Sequence, residues 1–184
     1  MILNSRANSF YFVFPHNFFD KRVVAKYEKY YKRMPIPYET IVAFMNSTIQ
    51  SVSFPNMSIP SVQQSRPLGK TQNYKSAKPI QDQFTQEFNI TFKTVEGFLN
   101  YWIMLDNIIS FLDFRNDNDR NFKEDLVLRL LDNQGNVLTS VSFKQVLITS
   151  LSELNLSYSS NNPTFNAFTV GFKCNLIDIK LEIG

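Results

Sequence analysis

The stretch Phe165-Asn166-Ala167-Phe168-Thr169-Val170-Gly171-Phe172-Lys173-Cys174-Asn175-Leu176-Ile177-Asp178-Ile179-Lys180-Leu181-Glu182-Ile183 decides the fold. Phe168, Val170, Phe172, Cys174 and Leu176 occupy even positions, whereas Ile177, Ile179, Leu181 and Ile183 occupy odd ones. Successive side chains of a strand point to opposite faces, so period-two alternation reads as β-structure. The phase flips at Leu176-Ile177. A one-residue slip exchanges the two faces of a strand, so the segment contains a β-bulge or crosses from one sheet to another.

Working outward, residues 85–93 repeat the pattern without interruption. Phe88, Ile90 and Phe92 share one face, and Glu87, Asn89, Thr91 and Lys93 the other. One dry and one polar face describe a strand of an antiparallel sheet with one solvated side. Residues 125–131 and 137–143 flank Asp132-Asn133-Gln134-Gly135-Asn136 and predict a β-hairpin, with Leu126, Leu128 and Leu130 on one face. Residues 9–14, 48–54, 145–149 and 153–158 read as further strands. In 48–54, Ile49 and Val52 break the period. Ser159-Ser160-Asn161-Asn162-Pro163 reads as a turn before the closing strand. The aromatic share is high, with 18 Phe and 8 Tyr, and many of the Phe residues fall at alternating positions, which suits strands.

Two segments read as helices. Asp20 caps one over 21–33, with Val23, Tyr27, Tyr30 and Met34 on one face and Pro35 and Pro37 ending it. A shorter one fits 38–46. Thr94 is placed to cap a central helix over 95–114. Its stripe is Phe98, Trp102, Leu105, Ile109 and Leu112, widened by Leu99, Tyr101, Ile103, Met104, Ile108 and Phe111. A helix apolar over most of its circumference needs cover on several sides, from a second layer or a neighbouring subunit.

Between these elements, residues 55–83 change character. Pro55, Pro60, Pro67 and Pro79 stiffen a segment rich in Ser, Gln, Asn and Lys, through which Met57, Ile59, Val62, Leu68 and Tyr74 are spaced. Long connections without secondary structure are uncommon unless they bind something. The segment is read as an extended interaction loop, with one short strand near 69–74.

The chain offers little for catalysis. His16 is its one histidine and Cys174 its one cysteine, so neither an intrachain disulfide nor a multi-ligand zinc or iron site is available to the chain alone. Cys174 continues the apolar alternation and reads as a small buried hydrophobe. No G-x-S-x-G, Walker A or G-x-G-x-x-G occurs among five glycines. Asp117-Asn118-Asp119 starts like a calcium loop, but the required Gly and Glu do not follow. The expectation is a protein without enzymatic activity, cofactor or metal. The longest apolar stretch, 98–114, is interrupted by Asn100, Asp106, Asn107, Ser110 and Asp113, too often for a membrane span. The first residues show no signal-peptide core, which predicts folding in a cytoplasm. Of the net charge of +3, residues 1–40 carry +4 and the remainder −1, so the basic character belongs to one N-terminal segment.

Three stretches together resemble the contractile bacteriophage tail-tube family, with bacteriocin tubes and type VI secretion inner-tube proteins as relatives in fold. Ile49-Gln50-Ser51-Val52-Ser53-Phe54-Pro55-Asn56-Met57 resembles the strand entering the family's extended loop. Phe84-Thr85-Gln86-Glu87-Phe88-Asn89-Ile90-Thr91-Phe92, with the aromatic helix over 98–114, resembles its central strand and helix. Leu154-Asn155-Leu156-Ser157-Tyr158-Ser159-Ser160-Asn161-Asn162 with Phe168-Thr169-Val170-Gly171-Phe172 resembles its closing strand pair. The similarity covers about residues 47–183, and residues 15–46 stand apart as a helical insertion.

The resemblance implies one domain over 1–184: mainly β with α, an antiparallel β-sandwich or partly open barrel flanked by one central apolar helix and the insertion. It implies a structural virion protein, assembled in the bacterial host cytoplasm, whose hexameric rings stack into a DNA-ejection channel. Its partners would be further copies of itself, other tail or baseplate proteins and a sheath, with DNA passing through unbound. In that arrangement Phe54, Pro55, Met57, Ile59, Pro60, Leu68 and Tyr74 form the stacking loop, and Glu87, Asn89, Thr91 and Lys93 face the lumen. A lumen that releases DNA avoids a dense basic lining, because phosphate contacts dominate DNA affinity. The basic insertion is therefore expected outside the channel or at a joint. A baseplate tube initiator is the alternative within the family. A carbohydrate- or receptor-binding β-sandwich is the alternative outside it.

Overall fold

The computed structural model describes residues 9–54, 61–65, 71–75, 86–113, 123–154 and 166–182. Among the described residues, ten strands and three α-helices run in the order β1 (Phe10–Val13), α1 (Lys21–Tyr31), α2 (Ile41–Ser47), β2 (Ile49–Ser53), β3 (Ser61–Ser65), β4 (Thr71–Lys75), β5 (Gln86–Lys93), α3 (Leu99–Leu112), β6 (Leu126–Leu131), β7 (Val137–Lys144), β8 (Leu147–Leu151), β9 (Ala167–Cys174) and β10 (Leu176–Leu181). Two four-stranded sheets carry the order β1-β6-β7-β10 and β2-β5-β9-β8, and β3-β4 forms a two-stranded ribbon. Every pairing is antiparallel. The fold is therefore the expected mainly β architecture with helices, built as two separate sheets and not as a closed barrel.

The phase flip in the closing stretch is a sheet crossing. β9 lies in the second sheet, Asn175 turns the corner, and β10 enters the first. β7 and β8 make the same passage beside it, with Gln145 at φ 54. The corners are tied together: Asn175 N–H donates to the Lys144 carbonyl at 3.2 Å, and Asn175 Nδ2 donates to Gln145 Oε1 at 3.0 Å. A continuous two-stranded ribbon thus bends from one sheet into the other. A similar irregularity explains the broken period of β2, where the register against β5 shifts between Ile49 and Ser51.

Phenylalanines join the sheets. Phe88 on β5 stacks on Phe143 of β7 at 4.2 Å and on Phe172 of β9 at 5.2 Å. Phe14, Phe18 and Phe19 extend the cluster, with Phe14 stacked on Phe92 at 6.2 Å and Phe18 tilted against Phe172 at 6.4 Å. Cys174 is buried in this core, as its place in the alternation required. The 132–136 hairpin loop forms around Asp132, whose carboxylate accepts from the Gln134 and Asn136 backbone N–H groups at 2.7 and 2.8 Å. Gly135 there takes φ 92, a left-handed conformation that glycine adopts without a Cβ penalty.

The helices differ from expectation in their buried faces. Asp20 caps α1 as predicted, its side chain accepting from Arg22 N–H at 2.7 Å. Its buried residues are Val23, Tyr27 and Tyr31; the predicted Tyr30 is half exposed. The central helix begins later than predicted, because Gly97 at φ 68 and Phe98 at φ 55 kink the chain between a short 3₁₀ turn (Glu96–Phe98) and α3. Thr94 does not cap it; the Thr94 hydroxyl donates to the Asn166 carbonyl at 2.6 Å.

The predicted stripe also lies largely on the wrong face. Trp102, Ile109 and Leu112 are exposed, whereas Asn100, Ile103, Met104 and Asn107 are buried. The two asparagines decide the orientation. Asn100 Nδ2 donates to the Lys93 carbonyl at 2.8 Å, and Asn107 Oδ1 accepts from Asp20 N–H at 3.1 Å. They turn toward backbone groups of the preceding strand and of the loop before α1, and those buried groups need partners.

Candidate functional site

The outer face of β5 is continuous with those of its neighbours. Register places Ser51 opposite Thr91, Ser53 opposite Asn89, Asn89 opposite Gly171 and Thr91 opposite Thr169. Ser150 of β8 lies opposite Gly171 on the far side. The result is a polar face four strands wide, made of short hydroxyl and amide side chains. Of the predicted lumen residues, Glu87, Asn89 and Lys93 are exposed and Thr91 half-buried, all four on this face. Glu87 and Lys173 pair across β5 and β9 at 2.7 Å, which neutralises one of its cations locally. The Thr91 and Thr169 hydroxyls meet at 3.2 Å. Gly171 keeps this surface tight: a Cβ there would fall 2.3 Å from Ser150 Oγ.

The first sheet ends differently. Among the described residues β10 is one of its two outermost strands, with β1 at the other edge, and is paired on one side only, to β7. Ile177, Ile179 and Leu181 lie opposite Phe143, Val141 and Thr139, so they share the core-facing side of the sheet. Phe143 and Val141 are buried, yet Ile179 and Leu181 are 64% and 65% exposed. The cover over this sheet therefore ends between β7 and β10. The opposite side of β10 is polar, with Asp178 paired to Lys144 at 2.9 Å and Ser140 donating to Glu182 at 2.8 Å. An exposed apolar strand with a free backbone edge is an adhesive surface. Sequence reading marked these residues as strand. It missed the edge, because nothing in the alternation reports where the opposing layer stops.

Of the predicted stacking loop, Phe54 is half exposed, with its ring 6.4 Å from that of Phe143. Tyr74 lies on β4 opposite Val62 of β3. Pro55, Met57, Ile59, Pro60 and Leu68 lie outside the described residues, as do the expected turn at 159–163 and most of the expected strand over 153–158, whose residues 153 and 154 are not in a strand. The β3–β4 ribbon itself corrects the reading of 55–83 as an extended loop with one short strand: two five-residue strands pair there.

Reactive groups are few. Burial pushes the Cys174 thiol up to about 11, far from a nucleophilic thiolate at neutral pH. Among the described residues no group of three or more His, Cys, Asp or Glu side chains is placed to hold a metal ion. Among them, too, no helix is long and apolar enough to cross a membrane.

Neither the protein-family models nor the curated protein sequences gave a match. Solved structures did. A chain in the cryo-EM structure of the anti-feeding prophage (AFP) baseplate, 6-fold symmetrised, superposes with a TM-score of 0.54 at 13% identity, over 98% of this chain and 97% of that one. The AFP tube-terminating cap follows at 0.49 and 13% identity, over 72% of this chain and 80% of that chain. A chain of the sheath-tube complex of an extracellular contractile injection system (PVC) in the extended state gives 0.46 at 14% identity, over 84% and 97%. The alignment with the baseplate chain, nearly end to end in both chains, shows that this polypeptide shares its fold, in agreement with the fold implied by the resemblance read from its sequence.

Proposed function

We propose that the protein is a structural subunit of the tube of a contractile tail, working through contacts between copies of itself. The observation that carries this reading is the uncovered edge at β10 in a chain that shares its fold, end to end, with a baseplate component of such a machine. Ile179 and Leu181 gain roughly 1–2 kcal/mol each when a neighbour covers them, scaling the value of full burial by their exposure. A ring closed through such edges removes the aggregation hazard that a free apolar strand presents. The 6-fold symmetry of the baseplate structure supports six subunits to a ring.

In this reading the polar face of β5 lines the channel, where its hydroxyls, amides and paired charges give DNA little to hold. Phe54, Pro55, Met57, Ile59, Pro60, Leu68 and Tyr74 reach the next ring. The domain spans 1–184, with 15–46 as an insertion outside the channel or at a joint. Other tail or baseplate proteins and a sheath complete the assembly, in a virion tail built in the host cytoplasm. A tube-initiating role within the baseplate is the second reading, favoured by the baseplate chain matching 98% of this chain.

Sedimentation of the wild type against the double variant Ile179→Lys/Leu181→Lys tests the edge. The wild type is expected as closed oligomers and the variant as a folded monomer with an unchanged circular dichroism spectrum, since both positions are exposed in the single chain. Oligomers that survive the double substitution would refute the edge as the joint.

A further inference from the structure

α1, the turn after it and the kinked start of α3 line a cleft of about 610 Å3. Tyr27, Tyr30, Met34, Pro35 and Leu99 give it an apolar lining, to which Lys29, in the last turn of α1, and Arg33, just past its end, add two cations. The other cation on this lining, Lys26, is already committed: its ammonium bonds Asp106, which also accepts from the Tyr27 hydroxyl at 2.7 Å. Lys29 lies over the Tyr30 ring, at 5.1 Å. Neither Lys29 nor Arg33 has a carboxylate partner among the described residues, and both are exposed. Among the described residues Glu96 is the single acid on the lining.

Lys29 stands in the last turn of α1, where a cation suits the helix C-terminus, and Lys32 at the cap pairs with Glu28, whereas Arg33 lies beyond the helix. What Lys29 and Arg33 offer a ligand is complementarity: two cations without a carboxylate partner among the described residues, over an apolar floor, in a concave site of the size that seats a few side chains. Arginine and lysine recognise carboxylates by charge-assisted hydrogen bonds, and the floor takes an aliphatic or aromatic side chain.

We propose that this cleft is a docking site for an acidic peptide segment of a partner protein, with carboxylates on Lys29 and Arg33 and an apolar side chain between Tyr30 and Leu99. The proposal is independent of the joint at β10, and its assay uses soluble protein whether or not rings form.

The test is panning of a random peptide library, about twelve residues long, on immobilised wild-type protein, followed by anisotropy titration of the enriched peptides against variants. The expected pool is rich in Asp and Glu around an apolar residue. Its binding should weaken at least about tenfold in Lys29→Glu/Arg33→Glu and remain unchanged in Lys21→Glu, a cation of the same helix outside the cleft. Absence of an enriched pool, a neutral or basic pool, or equal loss in Lys21→Glu would overturn the proposal. Duplex DNA that binds the wild type through Lys29 and Arg33 and displaces the peptides would assign the cleft to nucleic acid and overturn it as well.

Discussion

Replacing Phe88 by Ala removes the ring through which the two sheets meet. Phe88 is 1% exposed and lies between Phe143, at 4.2 Å, and Phe172, at 5.2 Å. Truncating a fully buried Phe costs about 3–5 kcal/mol, from lost transfer energy and from the cavity left behind. At this chain length each kcal/mol lowers the melting temperature by about 2–4 °C, so the variant should melt roughly 10 °C early. Part of that loss belongs to the stacked pair. Phe143→Ala should therefore be non-additive with Phe88→Ala, with a coupling of about 1 kcal/mol. The assay is guanidinium denaturation of both single variants and the double variant, in the β10-edge background Ile179→Lys/Leu181→Lys so that assembly does not contribute. A single-variant loss below about 1 kcal/mol, against the 3–5 expected for a buried ring, or strict additivity of the pair, would refute the sheet-to-sheet stack.

Three further outcomes follow from the same geometry. Asn107→Ala should cost about 1–3 kcal/mol in thermal denaturation, because it strips the partner from the Asp20 N–H, bonded at 3.1 Å, inside the packed α3 interface. Burial opposes the charge on Asp106, but hydrogen bonds from Lys26 and Tyr27 outweigh it and hold the carboxyl below its usual range. This contribution is present above the unfolded carboxylate pKa and is lost as pH falls through the depressed folded value. The melting difference between wild type and Asp106→Asn should accordingly be largest near neutral pH and vanish in strong acid. Cys174, with its thiol raised to about 11, should react with a thiol reagent only at the rate of global unfolding, and a fast reaction in native buffer would contradict its burial.

Much of the fold was legible in the sequence where period two dominates. The flip at Leu176-Ile177 located the passage between sheets, and Phe88, Ile90 and Phe92 marked the core face of β5, because a half-buried strand shows its environment in every second residue. The face of α3 was not legible. Its apolar residues surround the helix, so periodicity carries no direction, and two asparagines bonded to backbone groups distant in sequence set the orientation. Tyr30 and Tyr31 are chemically equivalent neighbours, and only the packing of α1 chooses between them. Of the β3–β4 ribbon the strand near 69–74 was expected, but its partner over 61–65 was not, because these short strands are largely polar and pair with each other, without the alternating apolar face that signals a sheet. The polar face of β5 was readable as a face. The exposure of Ile179 and Leu181 was not, since it depends on where the opposing layer ends.

Negative-stain microscopy of the purified full-length chain addresses the assembly directly. Rings with an open centre, six-fold in projection and able to stack, are the predicted image. A field of isolated compact particles, matched by a monomer mass in sedimentation at high concentration, would contradict it.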